Sequence, residues 1–350
     1  TAAPLAMLLT IDAALATKTV ELYFRGNVNI TVDWGDATSD NYNTDGNQSH
    51  TYALDGIYQI SITGSAEHFE SSFASNNESL TSIDAWGNLG LLSLQYGCYG
   101  CSNLTSVPAT LPATVTDISW MFYNATAFNG NIGGWNTAAV TDMNVIFSDA
   151  TAFNQNIGDW DVSSVTNMNN MFYNASAFNN GSISTINNWN TGAVTNMNGM
   201  FSLAAAFDQP INGWDTSAVT DMGNMFNDAI VFNQDLDTWD TSSVTNMGGV
   251  FANTDVFNGD ITTWDTSSVT NMTQMFLDAA AFNQNIAKNV NIWNTVNVTS
   301  MDSMFQSAIV FDQDLSGWCV SLIPSLPTDF YTNTPAWNKT LRVPVWGTCP

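Results

Sequence analysis

Three sets of side chains in this chain have the types and spacing to do chemistry. Asp33 and Asp36 stand three residues apart, with His50 following. Together they could bind a metal ion or relay a proton, and equally they could be the polar groups that form turns and bridge strands. Cys98 and Cys101 form a Cys-x-x-Cys pair, a spacing used for redox work and for zinc. Asp215, Asp240 and Asp265 recur every 25 residues. If stacking aligned them, carboxylates about 4.8 Å apart would repel one another unless bridged. Calcium, a hard cation that takes several oxygens, suits such a row. The competing reading is an Asp/Asn ladder whose carboxylates bond the Ser/Thr turn that follows.

Composition narrows the chemistry. The 350 residues carry 5 Lys plus Arg against 31 Asp plus Glu, a formal net charge of −26. The cations are Lys18, Arg25, Lys288, Lys339 and Arg342, so the stretch 26–287 has none. That gap excludes nucleic acid as a partner, because phosphate contacts need Lys or Arg, and it disfavours anionic lipid. His50 and His68 are the only imidazoles, so a multi-histidine metal or catalytic site is not available. No apolar run reaches the roughly 20 residues of a membrane helix. The segment 1–10 lacks a basic stretch and does not read as a signal peptide. No phosphate loop or nucleophile elbow occurs, and the chain reads as a non-enzyme without a cofactor, calcium excepted.

The elements that would position these groups come from an internal repeat. Trp135, Trp160, Trp189, Trp214, Trp239, Trp264, Trp293 and Trp318 are spaced 25 or 29 residues apart. Phe122, Phe147, Phe172 and their successors keep the same step, as do Phe128, Phe153 and Phe178 and theirs. The long steps are four-residue insertions near 182–185 and 287–290. Within one unit, Trp160 and Val162 alternate as in a short strand. Val165, Met168, Met171, Phe172, Ala175 and Phe178 follow at the steps of a helix face. Ser163, Ser164 and Thr166 sit where a helix would be capped. The spacing therefore predicts an α/β solenoid: about eight 25-residue strand–helix coils with a parallel sheet, their Trp, Met and Phe residues packed inside.

Two resemblances accompany this pattern. Asn233-Gln-Asp-Leu-Asp-Thr-Trp-Asp-Thr-Ser-Ser-Val-Thr-Asn-Met247 and Met171-Phe-Tyr-Asn-Ala-Ser-Ala-Phe-Asn179 resemble the repeats of BspA-type leucine-rich-repeat surface proteins of bacteria. That resemblance implies a leucine-rich-repeat-like stack, an extracellular or cell-surface location and an adhesive or structural role. Val32-Asp-Trp-Gly-Asp36, His50-Thr-Tyr-Ala53 and Gly56-Ile-Tyr58 resemble the PKD-type domain, a small extracellular β-sandwich, although Ala37 stands where that motif usually has Gly. Alternation over 19–24, 28–33 and 58–62 predicts three strands in the same region.

The expected layout is a PKD-like sandwich at 1–64, a degenerate first coil at 65–104, the repeat stack at 105–317 and a C-terminal cap at 318–350. In the first coil Cys98 takes a Phe slot and Cys101 an Ala slot, so both are expected inside, as thiols or as a local disulfide. Cys319 and Cys349 flank a Pro-rich segment and are expected to pair, closing the end of the stack. The functional expectation is adhesion or recognition, with a matrix or host protein or a glycan as partner. The alternative is a subunit of an extracellular filament or sheath, with copies of the chain as partners.

Overall fold

Alternating burial builds the N-terminal region. A computed structural model describes residues 6–15, 18–71, 78–287 and 292–350. The remaining residues, including 1–5 and most of the second insertion, lie outside the described residues. Eight strands form in order: β1 (Met7–Asp12), β2 (Thr19–Arg25), β3 (Asn29–Asp33), β4 (Ser39–Tyr42), β5 (Gly46–Thr51), β6 (Ile57–Ser65), β7 (His68–Ser71) and β8 (Leu80–Trp86). The alternating segments 19–24, 28–33 and 58–62 lie on β2, β3 and β6. Met7, Leu9 and Ile11 of β1 face inward, as do Val20, Leu22 and Phe24 of β2.

Two antiparallel sheets result, one ordered β4-β3-β6-β1-β8 and the other β5-β2-β7. Their inward residues share one apolar cluster with the repeat region. The sheets continue past residue 64, since β7 and β8 each supply an edge strand. The first coil meets both edges. Ile83 N–H bonds Ser106 O at 3.0 Å beside β8, and Ser71 N–H bonds Tyr96 O at 3.2 Å beside β7. Edges that would otherwise invite pairing are thus covered by the stack.

The strand–helix coils and parallel sheet expected for the repeats do not form. Among the described residues there is no α-helix; the helical turns are two short 3-10 segments, Asn180–Ser182 and Ser184–Asn188, at the first insertion. The backbone shows why. Met171 N–H bonds Met168 O, Ala175 N–H bonds Phe172 O, and Phe178 N–H bonds Ala175 O, each closing a four-residue turn. The intervening N–H groups leave the coil: Met168, Asn170, Phe172 and Asn174 donate to Asn196, Asn198, Met200 and Ser202 of the next one at 2.8–3.0 Å.

An α-helix would send each N–H back four residues. It would also require unbroken right-handed backbone. Here Asn170 (φ 51°) and Asn174 (φ 52°) are left-handed, and matching pairs recur as Asn224 and Asp228, Gly249 and Asn253, and Gln274 and Asp278. Turns joined through left-handed residues reproduce the apolar steps of three and four that a helix would show. Coil-to-coil pairing is parallel, yet it is confined to single-residue bridges such as Asp142↔Asn167 and Asn246↔Asn271. The chain is therefore nearly all β and turn, and its named sheets are antiparallel.

Ring stacking fills the interior. Phe172 lies 3.8 Å from Phe178 in its own coil, 5.6 Å from Phe147 and 5.5 Å from Phe201 in the neighbouring coils, with interplanar angles below 10°. Trp Nε1–H groups donate across coils, Trp160 to Ile132 O and Trp239 to Ile211 O, both at 3.0 Å. At the C-terminal end the stacking turns edge-on: Phe330 and Trp337 meet Phe305 and Phe311 at 86°. Cys319 and Cys349 form a disulfide across this cap.

Candidate functional site

The turn between β3 and β4 brings Asp33, Asp36 and His50 close together. Asp33 Oδ1 accepts the Gly35 N–H at 3.0 Å, and Asp36 Oδ1 accepts the Thr38 N–H at 3.0 Å. His50 Nε2 lies 2.8 Å from Asp36 Oδ2. The hydrogen bond from Thr38, aided by His50, holds the Asp36 carboxyl below its ordinary range. His50 stacks on Trp34 at 4.8 Å and meets Tyr52 edge-on. Tyr52 donates its hydroxyl to Trp34 O at 2.8 Å. These bonds fix the turn to the sheet.

Asp215 and Asp240 are exposed and Asp265 is half-buried. Each bonds the N–H two residues on: Ser217 at 3.0 Å, Ser242 at 3.0 Å and Ser267 at 2.8 Å. The Ser217 hydroxyl adds a second bond to Asp215 at 2.6 Å. Those bonds hold the Asp215 carboxyl below its ordinary range, as Ser163 does for Asp161. Among the described residues no group of three or more His, Cys, Asp or Glu is placed to hold a metal ion. Cys98 and Cys101 are both buried free thiols, and burial pushes the Cys98 thiol well up. A nucleophilic thiol needs the opposite environment.

The repeat also builds bonded rows, the first of them the Asn/Asp row whose 25- and 29-residue spacing suits side chains that bond the backbone of neighbouring coils. Asn154 N–H donates to Asn129 Oδ1 at 2.9 Å, and the pattern continues through Asn179, Asp208, Asn233, Asn258 and Asn283 to Asp312. Arg342 ends this row, its Nη1 2.6 Å from Asp312 Oδ1. Buried Thr191, Thr216 and Thr241 donate their hydroxyls to Asp215, Asp240 and Asp265 carbonyls in the next coil, at 2.8–2.9 Å.

One feature departs from periodicity. Tyr96, Tyr99, Trp120 and Tyr123, in the first two coils, form a partly exposed cluster outside the apolar core. Tyr99 and Tyr123 stack at 4.7 Å; Trp120 lies 5.9 Å from Tyr96 and 5.4 Å from Tyr123. Tyr96 and Trp120 both have φ 60°. Other coils put Val145, Asn170, Gly199, Asn224, Gly249, Gln274 and Ser303 at that slot, all in left-handed backbone and none aromatic. A bulky ring there costs about 1–2 kcal/mol. The Tyr99 and Tyr123 slot holds Tyr173 in one later coil and Ser148, Ser202 and Asn227 in others, so stacking does not require a ring. Alignment of the slots was the signal available in the sequence.

The architecture is that of a repeat protein made of stacked turns on a two-sheet base. Residues 102–185, 180–288 and 231–343 match the family described as Mycoplasma protein of unknown function, DUF285, and the chain belongs to that family. This corrects the BspA-type leucine-rich-repeat resemblance, which the near absence of helix and the antiparallel sheets also contradict. The family matches begin at residue 102, so they lend nothing to the PKD-type resemblance of the N-terminal region. No curated protein and no solved structure matches the chain.

Proposed function

We propose that this chain is a recognition protein, acting by adhesion rather than by catalysis, outside the cell. The observation that carries the reading is the aromatic cluster of Tyr96, Tyr99, Trp120 and Tyr123. It places partly exposed rings at slots that most other coils fill with Asn, Gly, Gln or Ser, and at two of them the ring residue carries left-handed backbone. Strain retained at a surface position is a mark of use. The Asp/Ser, Thr and Asn rows give that cluster a stiff support. The Cys319–Cys349 disulfide accords with an oxidising compartment. Among the described residues no helix is long and apolar enough to cross a membrane.

The partner is a matrix or host protein or a glycan. The test is binding of the full chain, immobilised, to arrays of matrix proteins and of glycans. Saturable binding that falls at least tenfold in a Trp120→Asn, Tyr123→Ser variant supports recognition through this surface; silence on both arrays overturns it. A second reading, self-assembly into a filament or sheath, draws on exposed aliphatic residues at both ends. Leu54 and Ile57 are 71% and 74% exposed near the base, and Leu341 and Val345 are 71% and 65% exposed in the cap. Sedimentation velocity over a hundredfold range of concentration tests it, and a single monomeric species throughout removes it.

A further inference from the structure

The cap closes the apolar interior of the stack and leaves its backbone ladder open. In each coil three N–H groups, two residues apart, reach the coil that follows; in the last of them Ser303, Phe305 and Ser307 donate to Thr328, Phe330 and Thr332 at 2.8–2.9 Å. The same slots in the cap are Asp329, Tyr331 and Asn333. Asp329 (φ 52°) and Asn333 (φ 58°) keep the left-handed backbone of Ser303 (φ 54°) and Ser307 (φ 59°). The alternate N–H groups close local turns as they do elsewhere, Phe330 on Pro327 O and Thr332 on Asp329 O. Among the described residues, however, the N–H groups of Asp329, Tyr331 and Asn333 have no protein acceptor, and Asp329 and Asn333 are exposed. Trp346 packs edge-on against Phe330 at 5.0 Å, so the end is sealed for rings but not for hydrogen bonds. An open row of this kind is a template for a further strand.

The opposite end of the same wall of the molecule carries an edge that fits. β7 joins the first coil by a parallel bridge, His68 to Ser93, and every later bridge along this wall, as far as Asn271 to Ser300, is parallel too. β7 is antiparallel to β2, and β2 is antiparallel to β5, so β5 runs in the direction of the coils. It is the outer strand of its sheet. Alternate residues of such an edge turn both N–H and C=O outward. A second copy placed head to tail along the stack therefore meets the three cap donors with carbonyls of β5, in the parallel sense that the coils already use.

Charge selects the same two ends. A net charge of −26 opposes association except where the sign reverses. Among the described residues, Lys18, Arg25 and Arg342 are paired with Asp55, Glu70 and Asp312. Lys339 pairs with no carboxylate; it is exposed and lies 5.3 Å from the ring centre of Tyr331, beside the open donors. The β4–β5 hairpin, 39–51, carries Asp40 and Asp45 and no Lys or Arg. A second copy thus supplies both the carbonyl row and the acidic complement.

We infer that copies of this chain join head to tail, the Asp329, Tyr331 and Asn333 N–H groups of one copy donating to the β5 edge of the next, with Lys339 facing the acidic β4–β5 hairpin. This rests on the self-assembly reading and names the two edges that meet. Because the edges differ, the contact is heterologous and continues into a filament or closes as a ring.

The experiment is hydrogen exchange, read by mass spectrometry, of the full chain at the dilute and concentrated ends of a sedimentation-velocity series spanning a hundredfold range. Species larger than the monomer are expected at high concentration, with amides of 329–333 and of 46–51 gaining protection together. Lys339→Glu should raise the dissociation constant at least tenfold, while circular dichroism and melting match the parent chain. A monomer at every concentration overturns both the inference and the self-assembly reading. Assembly that protects only one of the two edges, that protects neither, or that Lys339→Glu leaves at full strength overturns the edge pairing and leaves self-assembly standing. Protection of 329–333 already present in the dilute monomer would mean that the chain covers its own edge, and overturns the inference as well.

Discussion

The two-sheet base and the turn-built stack satisfy the same backbone groups in different ways. In the base, β1 lies between β6 and β8, so its N–H and C=O groups find partners on two strands distant in sequence. Inward residues there are individual: Trp34, Tyr52 and Phe69 each occupy a place that nothing else repeats. In the stack, alternate N–H groups close local turns while the others reach the next coil. Each inward residue there has a copy above and below. A base of the first kind is a small cooperative unit, whereas a stack of the second kind is stabilised by nearest-neighbour contacts. What the contrast teaches is where novelty can be read. In the base every residue is unique, so uniqueness says little; in the stack a departure from the slot pattern, such as Trp120, stands out.

The sharpest way to break that comparison is to remove one ring from each region. Phe172→Ala removes a ring stacked on three others and is expected to cost about 3–5 kcal/mol. Hydrogen exchange should show lost protection concentrated in the coils on either side, with the base amides retained. Leu22→Ala in β2 should cost about 2–5 kcal/mol and lower protection across both sheets together. Uniform loss in both variants would mean that the stack is not a nearest-neighbour system.

Next in size is the cap. Replacing Cys319 and Cys349 by Ser removes a link across 30 residues and is expected to cost about 3 kcal/mol in the chain-entropy model. The loss should appear first in the last coils, as proteolytic cleavage within 319–349, while the base remains intact.

Smaller effects probe the left-handed positions shared by both regions. Ala37, at φ 69° in the turn after β3, and Leu203, at φ 62° in the stack, occupy backbone that Gly and Asn adopt more readily. Ala37→Gly and Leu203→Asn are each expected to stabilise by about 1 kcal/mol, measured by urea denaturation. A loss at Leu203 would show that its side chain contributes more than its backbone costs.

The least effect is expected from the Asp row. The Ser163 and Ser217 hydroxyls hold Asp161 and Asp215 below their ordinary range. A carboxyl lowered on folding stabilises above its unfolded pKa, about 3.9, and that contribution is lost as pH falls toward the folded value. Ser163→Ala with Ser217→Ala should therefore lower the melting temperature slightly at neutral pH and flatten the acid side of the profile, the difference from the parent vanishing as pH falls below the folded value. Millimolar calcium should leave the melting temperature where it is, because the carboxylates already serve their turns. A rise of several degrees would restore a cation to the row.

Much of the base was legible because alternation has a period of two, and β2, β3 and β6 follow it closely. The repeat length and the inward slots were legible as well, since Trp, Met and Phe recur in step. The local conformation of the repeat was not. Apolar steps of three and four fit a helix and a chain of turns equally well, and the distinguishing residues were the recurring Asn, Asp and Gly at positions 170, 174, 199, 224, 228 and 249. Among the site candidates, Asp33, Asp36 and His50 were brought together, but as a turn. The aromatic face was missed because its residues are commonplace one by one and unusual only against their slots.

The sequence by itself determined the period, the identity of the inward side chains and the extreme acidity, because these depend on residue type and spacing alone. Only the tertiary structure decided how each coil is folded. Whether an N–H closes a turn or reaches out depends on the neighbouring coil, whose carbonyls, such as Asn196 and Asn198, lie nearly thirty residues away in the chain and within 3.0 Å in space. The same dependence placed Tyr96, Tyr99, Trp120 and Tyr123 side by side: rings in adjacent coils become one surface only when the stack brings them into register.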